Sequence, residues 1–135
     1  MTAHLDTFSL RTRCPTGFVD ITDRVRDVVT RSGVSEGICV IQSPHTTAGI
    51  TVNENADPAV QHDLELIMGR MVPREGGYRH AEGNSAAHMR SSLYGPSLAV
   101  IVTGGRLLLG TWQGVYFYEG DGPRTRSVHV RVLGE

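Results

Sequence analysis

The spacing of apolar residues along the chain changes period several times, and each change marks an element. Residues 4–13 predict a first strand ending at the Cys14-Pro15-Thr16-Gly17 turn. Thr22 then reads as the cap of a helix over 23–32, in which Val25, Val28 and Val29 share one face and Gly33 ends the run. The run ICVIQS and the following GITVNE predict two buried strands, joined by residues 43–47. Next comes the clearest helical pattern. Asp57 is a good N-cap and Pro58 suits the first helical position. Val60, Leu64, Ile67, Met68 and Met71 then recur at helical spacing as a buried face, with Gln61, His62, Asp63, Glu65 and Arg70 on the wetter side. Pro73, Gly76 and Gly77 stop this helix, and Asn84 or Ser85 opens a shorter one through Ser92, closed by Gly95 and Pro96.

The remainder reads as strand. SLAVIV reaches the hairpin pair Gly104-Gly105, RLLLGTW returns, and GVYFYE and RSVHVRV flank a GDGP turn. These patterns predict one α+β domain spanning residues 1–135, with a largely antiparallel sheet or sandwich of seven or eight strands and two or three helices. A chain of 135 residues can bury a core without disulfides or a structural metal.

Composition narrows the chemistry. Thirteen basic residues against fourteen acidic ones give a net charge of −1, which argues against nucleic-acid binding. All the basic residues are arginines; the absence of lysine excludes a lysine Schiff base and a P-loop lysine. Anion recognition then falls to arginine forks, backbone N–H groups or a metal. Two cysteines are too few for a disulfide scaffold or a four-cysteine zinc site; Cys39 reads as a small core residue and Cys14 as an inert loop thiol. The first residues carry no targeting pattern and no segment is apolar enough to span a bilayer, so no membrane partner is expected and the cytoplasm is the expected location.

The polar crowd in SPHTTAGITVNENADP calls for a chemical account. Asn53, Asn55 and Asp57 imitate the start of a calcium loop, but Pro58 stands where its glycine belongs and Leu64 where its bidentate glutamate belongs. Serine-hydrolase, dinucleotide, zincin and redox-cysteine signatures are all missing. Among the histidines, His129 alternates with Val128 and Val130 and reads as facing solvent or another subunit, while His62 reads as solvated. His45, His80 and His88 fall in a strand connection, at the approach to the short helix and within that helix, where function concentrates. If they meet, they can hold a divalent metal such as zinc with one open position, with the Glu54 and Asp57 carboxylates behind as bases or orienting partners and the Asn84 and Gln113 amides around them. Trp112 reads in isolation as a core aromatic.

Three blocks, HTTAGITVNENADP, HAEGNSAAHMRSSLYG and LLLGTWQGVYFYE, occur in this order, and from about residue 36 onward the chain resembles the YjbQ-like family, whose members are described as secondary thiamine-phosphate synthases. GTWQG preceded by leucines is the most specific piece. The resemblance implies an α+β fold that assembles as a homotrimer, with polar residues gathered in a pocket. The family's recurring histidines fall on His45, His80 and His88, and its recurring acids and amides on Asn53, Glu54, Asp57, Asn84 and Gln113. The activity implied joins a pyrimidine diphosphate to a thiazole phosphate and releases pyrophosphate. The leading expectation is therefore an enzyme acting on a small phosphorylated substrate, with Glu54 or Asp57 as base. A non-catalytic metabolite- or metal-binding trimeric protein competes with it, and a metal-dependent hydrolase is the third reading.

Overall fold

Period-two burial organises most of the molecule, which a computed structural model describes over all residues from Met1 to Glu135. Five strands, β1 (Thr2–Arg11), β3 (Gly37–Gln42), β5 (Ser97–Thr103), β6 (Arg106–Leu107) and β8 (Thr125–Gly134), form one sheet in the order β1-β8-β3-β5-β6. A second sheet has the order β2-β7-β4, from β2 (Gly17–Asp20), β4 (Ala48–Glu54) and β7 (Gln113–Glu119). Every pairing is antiparallel.

The sheets share one core. Cys39 and Ile41 of β3, Val100 and Val102 of β5, and Val128, Val130 and Val132 of β8 meet Ile50, Val115 and Phe117 of the smaller sheet, all of them buried. Helix α1 (Thr22–Ser32) adds Val25, Val28 and Val29 to this layer, and Gly33 ends it in the left-handed conformation. Burial pushes the Cys39 thiol up to about 12. In native protein a thiol reagent at neutral pH should therefore modify Cys14 alone, and Cys39 only after unfolding. Rapid labelling of both thiols would show the core opening.

On its other face the small sheet carries α2 (Pro58–Met71) and α3 (Ser85–Tyr94). Strand β7 is buried on both sides for this reason. Val115 and Phe117 point into the sandwich, while Tyr118 packs with Phe18 and Tyr94 beneath the helices. Asp57 caps α2, accepting from the Ala59 N–H at 2.9 Å, and Pro58 follows at the first turn.

Five expectations change. Thr22 is the first residue of α1 rather than its cap: its N–H and hydroxyl donate to Asp20, and its hydroxyl accepts the Val115 N–H, which ties the helix to β7. The apolar stripe of α2 is only partly covered, with Met68 buried but Ile67 and Met71 at 50% and 65% exposure, because a single helix layer covers the small sheet. Glu65, expected on the wet side, is half-buried instead. RLLLGTW contributes just the two-residue β6, and Trp112 is 64% exposed rather than core.

Candidate functional site

The connection between β3 and β4 brings His45 to one end of the sandwich, and the approach to α3 brings His80 and His88 to the same end. All three line a cleft of about 400 Å³ that contains no hydrophobic residue. Its other walls are Thr46, Thr47, Glu82, Asn84, Arg124 and Arg126, with Pro44 at its edge. Both arginines belong to ion pairs. Arg124 donates to Asp121 at 3.1 Å, and Asn84 donates to the same carboxylate oxygen at 2.9 Å. Arg126 and Glu119 form a pair that is 2% and 1% exposed. The Arg126 Nε donates to Glu119 at 2.9 Å, its Nη2 donates to Glu119 and to the Thr47 hydroxyl, and the Thr12 hydroxyl donates to Glu119 at 2.6 Å.

With the guanidinium charges matched, the His80 and His88 imidazoles, the Glu82 carboxylate, the Thr46 hydroxyl and the unpartnered Asn84 amide oxygen are the cleft's uncommitted polar groups. Such a set accommodates a cation better than a bare anion. His80 and His88 stand edge to face with ring centres 5.4 Å apart. Two imidazoles sharing a tetrahedral ion at nitrogen distances of about 2.0–2.1 Å place their ring centres about 5 Å apart, a spacing this pair approaches. His80 Nε2 also lies 4.0 Å from Glu82. His45 is disposed differently. Its Nε2 accepts the Ser127 N–H at 2.9 Å, which puts the ring proton of neutral His45 on Nδ1. Burial, helped by the Arg126 guanidinium, lowers its pKa and favours that neutral form. No three His, Cys, Asp or Glu side chains are gathered tightly enough to surround an ion in this conformation.

The remaining sequence candidates divide. Asn84 stays with the histidines. Asn53, Glu54, Asp57 and Gln113 lie at the opposite end of β4, where Glu54 pairs with Gln113 across the strands. Six residue steps along β4 separate Ala48, next to the cleft, from Glu54, and that is about 20 Å of strand. Within one chain these groups cannot act on a molecule held by the histidines. Their side chains have local tasks as well: Glu54 accepts the Ala56 N–H, Asn53 the Glu54 N–H, and Gln113 the Gly110 N–H. Residues the candidate set missed are Glu82, Glu119, Asp121 and Arg126. For Arg126 the signal was present, since it shares the inward face of β8 with Val128, Val130 and Val132. The outward register places His129 on the other face, where it meets the Thr7 hydroxyl at 2.8 Å, as the alternation predicted. His62 is exposed beside Asp63.

Residues 6–135 match the family model described as UPF0047 protein YjbQ-like. The UPF0047 protein YugU of Bacillus subtilis is 48% identical over 131 residues, covering 96% of this chain and 99% of that one. A UPF0047 protein of Methanocaldococcus jannaschii is 46% identical over 128 residues, covering 95% and 93%. Among solved structures, a YjbQ/UPF0047-family protein of Clostridium acetobutylicum superposes with a TM-score of 0.93 at 50% identity, covering 95% of this chain and 99% of that one. A YbjQ-like protein of Sulfolobus solfataricus superposes with a TM-score of 0.95 at 32% identity, covering 98% of each.

Proposed function

The chain belongs to the UPF0047 family of YjbQ-like proteins, and from that premise we propose that it is an enzyme acting on a small phosphorylated molecule at the histidine cleft, with thiamine-phosphate synthase activity. The observation that carries this reading is the pairing of His80 and His88 in a polar cleft whose arginines are already neutralised. A divalent ion held there, zinc or one like it, would polarise phosphate oxygen and stabilise departing pyrophosphate. The chain's own groups do the rest. His45, neutral with its proton on Nδ1, offers a donor to a substrate oxygen, and the Thr46 hydroxyl and Asn84 amide orient the phosphate. The Arg126–Glu119 pair holds Thr47 and the start of β4 in place behind them. Homotrimeric assembly and a cytoplasmic location complete the proposal. No helix is long and apolar enough to cross a membrane, and both cysteines are free, which suits a reducing compartment.

Purified protein incubated with pyrimidine diphosphate, thiazole phosphate and a divalent ion should form thiamine phosphate and release pyrophosphate. His88→Ala should remove bound metal in elemental analysis and lower turnover at least tenfold while leaving the circular dichroism unchanged, whereas His62→Ala should retain both. Metal retained by His88→Ala would refute the ligand assignment. The separation of Glu54 and Asp57 from the cleft favours the second reading, a metal- or metabolite-binding protein without catalysis. Wild-type protein that binds the two phosphates without turnover would establish it.

A further inference from the structure

We propose that the cavity beside the histidine cleft is a phosphate subsite, built from the first turn of α3 and two unpaired arginines. It holds the phosphomonoester of one substrate while the diphosphate of the other lies in the cleft. The cavity measures about 320 Å³ and shares Glu82 and Asn84 with the cleft, so the two bound molecules would lie side by side. Small-molecule sites span about 300–1,000 Å³, and this one falls at the compact end. Its base is a helix terminus. The His88 N–H is the first in α3 to bond back along the helix, to the Asn84 carbonyl at 3.2 Å. The N–H groups of Ser85, Ala86 and Ala87 therefore have no partner within the helix, and the Asn84 side chain does not cap them. Ala86 and Ala87 line the cavity and no acidic residue stands in this first turn, so the positive end of the helix is open to an anion. Gly120 lets the loop after β7 close on this turn: a Cβ there would lie 3.3 Å from the Ala87 Cβ and 2.7 Å from the Thr47 carbonyl oxygen.

An independent observation points the same way. Arg90, one turn further along α3, lines the same cavity and is only 8% exposed. Its Nη1 donates to the Tyr118 hydroxyl and its Nη2 to the Val72 carbonyl, which leaves the buried Nε–H with no acceptor. Neither partner is charged, and Arg90 has no carboxylate partner within the chain. A guanidinium held this deep without a counter-charge is costly, and an anion in the cavity supplies both the charge and the missing acceptor. Arg74 reaches the same cavity from the segment after α2 and is likewise unpaired. Two carboxylates also line it. Asp121 accepts from both Arg124 and Asn84, and Glu82 stands 4.0 Å from His80, toward the cleft. Two unopposed guanidinium groups and a helix terminus match a phosphate dianion in charge and in donors. The assignment to a substrate rests on the reading of the cleft as the active site; the phosphate subsite itself does not.

Calorimetric titration of chelator-stripped protein with inorganic phosphate, at about pH 8 where phosphate is dianionic, separates the two. Wild-type chain should bind phosphate, more weakly at high salt. Arg74→Gln, at an exposed residue, should weaken binding by about tenfold or more. Arg70→Gln, exposed on α2 and outside the cavity, should leave it unchanged, and so should His88→Ala. Arg90→Lys, which keeps the charge but loses the Nε–H, should weaken it as well; if circular dichroism shows that variant unfolded, Arg74→Gln decides alone. No binding by wild type, binding indifferent to Arg74→Gln, or binding lost with His88→Ala would each overturn the subsite. Thiazole phosphate should displace the bound phosphate, and in turnover Arg74→Gln should raise the KM for thiazole phosphate while leaving that for the pyrimidine diphosphate unchanged. A failure to displace, or the opposite pattern in KM, would overturn the assignment to the phosphomonoester. Phosphate binding that behaves as expected in a protein without turnover would leave the subsite intact and remove the catalytic reading alone.

Discussion

Replacing Glu119 by alanine should destabilise the fold by about 3–5 kcal/mol, because it strands the buried Arg126 guanidinium without its counter-charge. Both groups are within 2% of complete burial, and Arg126 has no other carboxylate in reach. Replacing both at once, Glu119→Leu with Arg126→Met, should cost far less than the single change, since no isolated charge remains. Urea unfolding of the two variants decides the matter; a double variant as damaged as the single one would mean that the Thr12 and Thr47 hydrogen bonds carry the stability instead. The pair also sets a pH dependence. Burial works to raise the Glu119 carboxyl, but hydrogen bonds from Arg126, Thr12 and the Asp121 N–H outweigh it and hold the pKa below its ordinary 4.5. A carboxyl depressed on folding contributes stability above the unfolded value, and that contribution disappears as the pH falls from about 4.5 through the folded pKa. Wild type should lose stability over that acid range, and Glu119→Leu/Arg126→Met should lose less.

Gly37→Ala should be comparably damaging, at about 3 kcal/mol or more, through overpacking that has no flexible neighbour to absorb it. Gly37 sits opposite Gly134 at the end of the β3–β8 pairing, and a Cβ there would lie 1.9 Å from the Leu133 carbonyl oxygen and 2.8 Å from the Gly134 Cα. Both are backbone atoms, so the strands themselves have to separate. Gly69→Ala is the control: it lies in α2 with nothing within 4 Å of the added methyl, and should stabilise by about 0.5–1 kcal/mol. Equal denaturation midpoints for wild type and Gly37→Ala would show that the strand pairing there is looser than its geometry.

Local chemistry made much of this fold legible. The Asp57-Pro58 start of α2, the left-handed Gly33 and the Gly104-Gly105 hairpin each follow from residues in contact with their own neighbours in sequence. What escaped depends on which surface meets which. Ile67 and Met71 have the spacing of core residues, and periodicity cannot distinguish a face covered by this chain from a face left for something else. Trp112 misled for the same reason. The site split along similar lines. His45, His80 and His88 were singled out as loop and helix-edge residues, and the fold takes them to one cleft. Glu54 is close to His45 in sequence, yet an extended β4 carries it to the other end of the sheet, where it pairs with Gln113 of β7.

Strand β8 occupies the middle of the large sheet, between β1 and β3, although it is the final strand in chain order. During synthesis, therefore, β1 waits with no hydrogen-bonding neighbour until residues 125–134 have left the ribosome, and β3 waits with one edge open. A chain without residues 125–134 leaves apolar strand edges exposed on both β1 and β3, and the large sheet closes only when β8 inserts between them. This topology makes the newly made polypeptide, rather than the finished one, the form most in need of a chaperone.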